Sequence, residues 1–309
     1  MTDRGAEQVT IFAPGSGSNL GPGFDCLGVA LAGRGDRVRM RRSDDPGVRI
    51  VSVSEPRIPL ATQSNTAGLA ATAVLKRSGR KGGLELDIEK GLPLAGGLGG
   101  SAASAVAAAV AADTLLGCDL SLLELLGIAL DAESAVSGRH ADNVGPSLLG
   151  GVVLIRGLDP LSIAPVRVYP GLAFVLASPE YRVETARARA VLPEQVARTA
   201  AVDQASHLAA FLLGLERGEH DLLRGSMVDH IAEPARAALY PGYDEARSAA
   251  LEAGALGVAV SGAGPAVIAL VPEASTDAVA AALRDGYARA GVAATAFAAA
   301  VDASGARPV

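Results

Sequence analysis

Hydrophobic and polar positions repeat with two different periods along this chain, and the switches between them mark out its elements. Residues 8–13 (QVTIFA) and 84–88 (LELDI) read as strands, while 65–77 (NTAGLAATAVLKR) and 121–135 carry helical spacing. After Ser101 the chain reads AASAVAAAVAADTLLG, rich in the best helix former and free of internal Gly or Pro until Gly117, which predicts a further helix. A polar loop with a short helical turn then feeds an apolar strand at 151–157 (GVVLIRG). The composition shifts over 157–170. Beyond it come strand 172–177, helices near 194–217, 219–231 and 243–253, a hairpin of strands 257–261 and 266–271, helix 275–290 and strand 292–298. The last residues, 301–309 (VDASGARPV), predict a frayed tail. Strands and helices that interleave without a regular βαβ repeat suggest two α+β layers rather than one doubly wound sheet.

Two of the connecting loops are unusually rich in glycine. Residues 91–103 (GLPLAGGLGGSAA) open directly onto the Ala-rich helix. Without Cβ groups at Gly96, Gly97, Gly99 and Gly100, backbone N–H groups can face a ligand. The first turn of the helix adds unpaired N–H groups and the positive end of its dipole, so loop and helix both suit phosphate. The Lys-Ser/Thr pair of a P-loop is missing after the last glycine, and the spacing is not that of a dinucleotide fingerprint. A tight turn that needs small residues for packing is the plain alternative. The other loop, PGSGSNLGPGFD at 14–25, has four glycines and two prolines and must be held by specific contacts.

Composition narrows the function classes. At 309 residues two domains are expected. With five Phe, five Tyr and no Trp, the cores must be built from Ala, Val, Leu and Ile, and base stacking is a poor basis for function. A net charge of −6 argues against nucleic acid as a partner. The basic run Arg34, Arg37, Arg39, Arg41, Arg42 reads as one solvated face of a strand. Two cysteines and four scattered histidines give neither a disulfide framework nor a zinc spacing, which fits a cytoplasmic protein. The N-terminal MTDRGAEQ has no apolar signal core, and the uncharged stretches 95–112 and 255–271 are too rich in Gly, Ala and Ser to span a membrane, so no membrane partner is expected.

Four segments stand out in order: APGSGSNLGPGFDCLGVAL at 13–31, PLAGGLGGSAAS at 93–104, RHADNVGPSLLGG at 139–151 and VSGAGPAVIAL at 260–270. Together they resemble the GHMP kinase superfamily, and within it the homoserine kinases, over nearly the whole chain. The second is similar to the superfamily's P-x-x-x-G-L-G-S-S-A-A motif. The first and third, with N-L-G-P-G-F-D and H-x-D-N-V-x-P, are closer to homoserine kinases than to mevalonate kinases or galactokinases. Two departures are visible: Gly100 and Ser101 stand where the superfamily usually has two serines, and, a minor one, Gly17-Ser18-Asn19 replaces the usual Ser-Ala-Asn.

The resemblance implies an α+β, two-domain GHMP kinase-like fold. Residues 1–160 would form a ribosomal-protein-S5-like nucleotide-binding domain, and 161–309 a ferredoxin-like α/β-plait domain. It implies ATP and Mg²⁺, and transfer of the γ-phosphoryl group to the side-chain hydroxyl of L-homoserine for threonine synthesis. Pro93, Leu94, Ala95, Gly96, Gly97, Leu98, Gly99, Gly100, Ser101, Ala102 and Ala103 would cradle the nucleotide, with Asn65 near the adenine. Ser101 and Glu133 would hold the metal, a sensible pair because Mg²⁺ takes hard oxygen ligands. Asn65 reads equally well as a plain helix N-cap.

At the acceptor end the resemblance assigns Asn19 and Asp25 to the substrate ammonium and Arg189 and Arg236 to its carboxylate. Arg187 competes with Arg189, and the sequence leaves both open. Asn143 and His140 would sit at the acceptor hydroxyl. An amide has no useful basicity, so Asn143 should orient the hydroxyl, whose proton leaves late toward a phosphate oxygen. His140 also reads as a loop-packing residue, and Asp142 as the N-cap of the following turn. The glycines of SGAGP at 261–265 should let the second domain approach the phosphate loop. Two alternatives remain: the same fold acting on another small hydroxylated metabolite, and a non-catalytic binding protein. A homodimer is consistent with the chain but not derivable from it.

Overall fold

The computed structural model describes residues 7–94 and 96–309. The chain runs β1 (Gln8–Ser18), β2 (Leu27–Ser43), β3 (Gly47–Val53), α1 (Thr66–Ser78), β4 (Gly83–Glu89), α2 (Gly100–Leu116), α3 (Leu122–Ser137), α4 (Val144–Leu149), β5 (Val152–Leu158) and β6 (Leu161–Val166). It continues through β7 (Leu172–Pro179), α5 (Thr185–Ala190), α6 (Arg198–Arg217), α7 (His220–Leu223), α8 (Ala232–Arg236), α9 (Tyr243–Glu252), β8 (Gly257–Val260), β9 (Val267–Pro272), α10 (Thr276–Arg289), β10 (Ala294–Ala299) and β11 (Arg307–Pro308).

Seven strands form the first sheet in the order β11-β1-β2-β4-β3, with β5 joining β2 and β6 joining β5. Its exposed face explains three arginines of the basic run, whereas Arg42 turns to the other side and reaches Leu115 O of α2, and Arg34 lies over the Phe297 ring. Arg37, Arg39 and Arg41 of β2 lie opposite Glu89, Asp87 and Glu85 of β4. Ion pairs join each couple, while the alternating Val38 and Met40 are buried. Opposite charges facing each other across strands add a few tenths of a kcal/mol each and help fix the register.

Helices α1, α2 and α3 pack together, and α2 also lies on β1 and β2. Because its residues are mostly Ala, α2 has no strongly polar side, and Ala102 through Ala109 are all buried. A helix apolar all round is a core helix. Its ends are therefore fixed by packing on every side, which matters for the site at its N-terminus.

The second sheet, in the order β10-β7-β9-β8, is antiparallel throughout. With α10 between β9 and β10 this is the strand order of an α/β plait. Successive residues of β7 face two different cores. Phe174 and Leu176 join Ile268 and Leu270 in the core shared with the first sheet, while Ala173, Val175 and Ala177 join Val258 and Val279 beneath α9 and α10. Burial on both faces accounts for the unbroken apolar runs LAFVLA and VIALV.

Three expectations are corrected. The first glycine-rich loop begins later than expected, because β1 continues to Ser18 with a register shift at Pro14/Gly15. Residues 219–231 are not one helix: α7 is a single turn, and Gly225, at φ 73°, breaks it before α8. The tail is not frayed. Pro308 and Arg307 pair with Ile11 and Phe12 of β1, and Val309 N donates to Thr10 O at 3.1 Å. The turn before β11 is organised by buried Asp302, which accepts from Ser304 N, Gly305 N and Arg307 Nη1, each at 3.0 Å. Asp302→Ala should therefore cost about 1–3 kcal/mol in denaturant unfolding, and unchanged stability would show that the tail contributes nothing to the sheet.

Candidate active site

At its N-terminus α2 is preceded by Gly99, which adopts a left-handed conformation with φ 63°. A Cβ there would lie 2.1 Å from Ser16 Oγ and 2.8 Å from Asn143 Oδ1, so only glycine allows the loop to approach both. Gly97, at φ 70°, is constrained in the same way, since a Cβ on it would lie 2.7 Å from Ser261 O. Ala103 N already donates to Gly99 O at 2.9 Å. Helix geometry leaves the amides of Gly100, Ser101 and Ala102 without intrahelical partners, aimed at the cleft. The side chains of Ala102 and Ala103 are wholly buried in the core.

Beside this turn, Ser101 Oγ donates to Glu133 Oε1 at 2.7 Å. The pair joins α2 to α3 and sets two hard oxygen donors side by side. Lys90 follows β4 and lies under the same turn. Its side chain is 5 % exposed and pairs with Asp36, which is fully buried, while also donating to Gly100 O at 2.7 Å and Ser104 Oγ at 2.8 Å. An ion pair this deep is held by its extra hydrogen bonds. Asn65 caps α1, accepting from Ala67 N at 3.0 Å, and donates through Nδ2 to Pro59 O at 3.0 Å. It lines an apolar cavity that shares Lys90, Leu94 and Ser101 with the main cleft.

The acceptor end faces the loop across that cleft. Asn143 is fixed at both ends of its amide: Oδ1 accepts from Ser16 Oγ at 2.9 Å, and Nδ2 donates to Ser18 Oγ at 3.1 Å. Both serines are buried. Asn19 is equally committed, donating to Gly262 O at 2.9 Å and accepting from Asp25 N at 3.0 Å. Asn19, Leu20 and Asp25 all take positive φ, of 70°, 48° and 58°. Asn and Asp tolerate this region, but for Leu20 it is strained and persists because its side chain is anchored in the core.

Asp25 receives both terminal nitrogens of Arg189, at 2.7 and 2.6 Å, a charge-assisted fork. His140 Nδ1 lies 3.5 Å from the same carboxylate. Burial holds the imidazole below its ordinary 6.5 despite Asp25, so it is neutral at pH 7. Asp142 is buried and lines the cleft, and its Oδ1 has no hydrogen-bond partner among the described residues. Burial, reinforced by Asp25, pushes its carboxyl up to about 7. Arg236 is 2 % exposed, donates to Ala188 O and Gly262 O, and leaves Nη2 without a partner among those residues. Both arginines lie over the Phe24 ring, at 5.2 and 5.3 Å.

A helix turn suited to phosphate thus confronts a pocket with charges of both signs. Residues 65–151 match the family of GHMP kinases N terminal domains, and 211–289 that of GHMP kinases C terminal domains. The chain is 42 % identical to a homoserine kinase of Xylella fastidiosa, covering 94 % of this chain and 91 % of that one. The chain belongs to the homoserine kinases of the GHMP superfamily. It is 41 % identical to a homoserine kinase of Arabidopsis thaliana over 85 % of its length and 74 % of the relative's. A crystal structure of a homoserine kinase from Cytophaga hutchinsonii superimposes with a TM-score of 0.94 at 37 % identity, covering 98 % of each chain. With a mevalonate kinase of L. major, 18 % identical, the TM-score of 0.72 over 94 % of this chain and 95 % of that one shows a shared fold.

Within this kinase fold the main cleft brings together Pro93, Leu94, the glycine loop, Ser101, Glu133, His140, Asn143, Asn19 and Arg189. Ala95 lies outside the described residues, as do residues 1–6. Arg187 is exposed on α5 while Arg189 faces Asp25, so only the latter belongs to this arrangement. Asp142 is not the cap of α4: Asn143 holds that position, and no side chain caps it. Sequence reasoning also missed Ser16 and Ser18, whose roles depend on Asn143 from far along the chain. It missed Lys90 as well, although the one available signal, a lysine immediately before Gly91, stands in the sequence.

No helix among the described residues is long and apolar enough to cross a membrane. The two neighbouring glycines offer opposite tests. Gly99→Ala should lower turnover at least tenfold and reduce stability by about 1–3 kcal/mol, because both its space and its φ are forbidden. At Gly100 a Cβ meets nothing closer than Lys90 Nζ at 3.5 Å. Gly100→Ser should fold with unchanged or slightly higher melting temperature; a clear loss of stability would refute the space seen there.

Proposed function

We propose that this chain transfers the γ-phosphoryl group of ATP to the side-chain hydroxyl of L-homoserine, giving O-phospho-L-homoserine and ADP in threonine biosynthesis. The single observation that carries the reading is the Asp25–Arg189 pair, with buried Asp142 and Arg236 beside it, opposite the α2 turn. A free amino acid carries both charges, and its ammonium and carboxylate can take the places these side chains fill for one another. A neutral sugar would answer neither charge, and mevalonate, with a carboxylate but no ammonium, would leave Asp25 and Asp142 unanswered.

In this reading Asp25 and Asp142 receive the ammonium and Arg189 and Arg236 the carboxylate. Asn19 holds the loop through Asp25 N and Gly262 O. Asn143, locked between Ser16 and Ser18, orients the acceptor hydroxyl toward the phosphate loop. Its amide is not a base, and neutral His140 is tied to Asp25 rather than to a proton acceptor role. The bond from γ-phosphorus to the bridging oxygen of ADP breaks as the new bond to the acceptor oxygen forms. The acceptor proton passes late to a phosphoryl oxygen. The amides of Gly100, Ser101 and Ala102 balance charge on the phosphates, and the apolar cavity bordered by Asn65 and Leu94 accepts the base.

Ser101 and Glu133 fit Mg²⁺, since both supply oxygen and already lie 2.7 Å apart. Among the described residues no three His, Cys, Asp or Glu side chains form a ready-made metal cage, and Mg²⁺ bound with phosphates does not need one. When bound, the ion would neutralise phosphate charge. Residues 1–160 are assigned the nucleotide site and 161–309 the arginines and the SGAGP turn, with β6 and β11 returning to the first sheet. Both substrates are consistent with a cytoplasmic setting, and with a homodimer or a single chain.

An ADP-release assay with MgATP should give strong turnover with L-homoserine and at least a hundredfold less with shikimate or mevalonate. Turnover with either of the latter would overturn the acceptor site, and no ATP turnover would point to a binding protein. Asp142 adds a pH signature. Its raised pKa means that the folded state retains a proton the unfolded state loses between 3.8 and about 7, so its contribution to stability fades as pH rises across that window. An ammonium contact favours the ionised form, so kcat/KM for homoserine should rise as pH passes through 7. Asp142→Asn should lower kcat/KM at least tenfold and flatten that rise; a profile identical to wild type would remove Asp142 from the site.

A further inference from the structure

Helix α8 and Tyr240 just beyond it hold the turn between β8 and β9 at three points. β8 is the edge strand of the second sheet, and Ser261 N turns inward to Ala266 O at 2.8 Å, so Val260 N points outward with no strand to receive it. Glu233 Oε1 accepts that amide at 2.8 Å. Its Oε2 accepts from Tyr243 OH at 3.0 Å. One turn further along α8, Arg236 Nη1 donates to Gly262 O at 3.2 Å, and Tyr240 OH donates to Ala263 O at 3.0 Å. Asp229 fastens the start of α8, accepting from Ile231 N at 2.7 Å, Ala232 N at 2.8 Å and Glu233 N at 3.2 Å.

The held turn touches both ends of the cleft. Ser261 Oγ donates to Gly97 O of the phosphate loop at 2.7 Å, and Gly262 N donates to Ser18 O at 3.1 Å, next to the serine that orients Asn143. A shift of Arg236 toward an incoming carboxylate therefore pulls on Gly262, and through Ser261 on Gly97. The transmission needs β8 to stay in register while the turn moves. The ladder with β9 sets that register, and Glu233 holds the last amide of β8 from the open edge.

We propose that Glu233 is a positioning residue which couples the acceptor carboxylate site to the nucleotide loop, so that homoserine tightens the grip on ATP. The inference rests on the reading that Arg236 meets the homoserine carboxylate. Glu233 touches neither substrate. Burial pushes its carboxyl up to about 7, so a neutral glutamine that keeps the acceptor oxygen is a close replacement.

The test is calorimetric titration of the full chain with Mg²⁺ and β,γ-methylene ATP, with and without saturating L-homoserine. Coupling free energies between sites commonly correspond to roughly 5- to 150-fold changes in affinity. Wild type should bind the analogue at least fivefold tighter with homoserine. Glu233→Ala should reduce that factor below twofold while changing affinity without homoserine less than threefold, and Glu233→Gln should restore it. Should Glu233→Ala not fold, Ser261→Ala, which cuts the link to Gly97, must lose the coupling in the same way. A wild-type factor near one, full coupling in the alanine variants, or a glutamine variant as defective as alanine would each overturn the proposal. Titration with homoserine alone separates the two ideas: failure of wild type to bind it removes the acceptor reading and this inference together, whereas binding without coupling removes only the inference.

Discussion

Everything at this site depends on the immobility of α2. A helix N-terminus attracts phosphate only if its amides are already aimed and need not be reorganised when charge arrives. Here the aim is set by an Ala-rich helix buried along most of its length and packed between the first sheet and its neighbouring helices. The same close packing brings Gly99 against Ser16 and Asn143, so the glycine loop and the residue proposed to orient the acceptor share one contact. Positioning, which supplies most of phosphoryl-transfer catalysis, is thereby built into the core rather than into a flexible loop.

The charges at the acceptor end are arranged so that the empty protein can tolerate them. Arg189 and Asp25 satisfy one another, and Asp142 avoids the cost of a buried anion by holding a proton near neutrality. In the proposed reading a zwitterion exchanges these internal pairings for intermolecular ones of the same kind. Its net binding energy is then modest, because each new ion pair replaces an old one, while its selectivity is high, because a ligand lacking either charge would leave a buried group unpaired. Lys90 and Asp36 are a different case. Their pair is closed by Ser104 and Gly100, and they serve as a pillar beneath the helix turn.

Local pattern made much of the fold legible. The alternation in 84–88, the alanine helix and the hairpin around SGAGP all have short-range causes, and they were readable from the sequence. What escaped depends on distant partners. β11 is two residues long and exists only because β1 offers an edge and Asp302 organises the turn before it, so nothing in VDASGARPV distinguishes it from a loose end. The helix expected over 219–231 had the right periodicity, but Gly225 and the carboxylate of Asp229 favour a broken chain with a new start at α8. At the site, motif resemblance singled out Asn143, Asp25 and Arg189, and the structure pairs Arg189 with Asp25. It could not show that Asp142 faces the cleft instead of capping α4, because the choice between adjacent carboxyl and amide is made by the backbone turn.

That choice explains why residue 143 is an amide. Asp25 and Asp142 already place two carboxyl groups near the acceptor, and their mutual repulsion is part of what raises Asp142. A third carboxylate at 143, facing phosphate across the cleft and enclosed by Ser16 and Ser18, would have to ionise in the field of the other two and of the nucleotide itself. Those charges disfavour its ionised form, and a carboxylate could not make the donation to Ser18 Oγ. The asparagine keeps the same shape, accepts from Ser16, donates to Ser18 and adds no charge. If ammonium recognition claims the negative charges, as proposed, a neutral amide can orient the acceptor hydroxyl without adding a third charge.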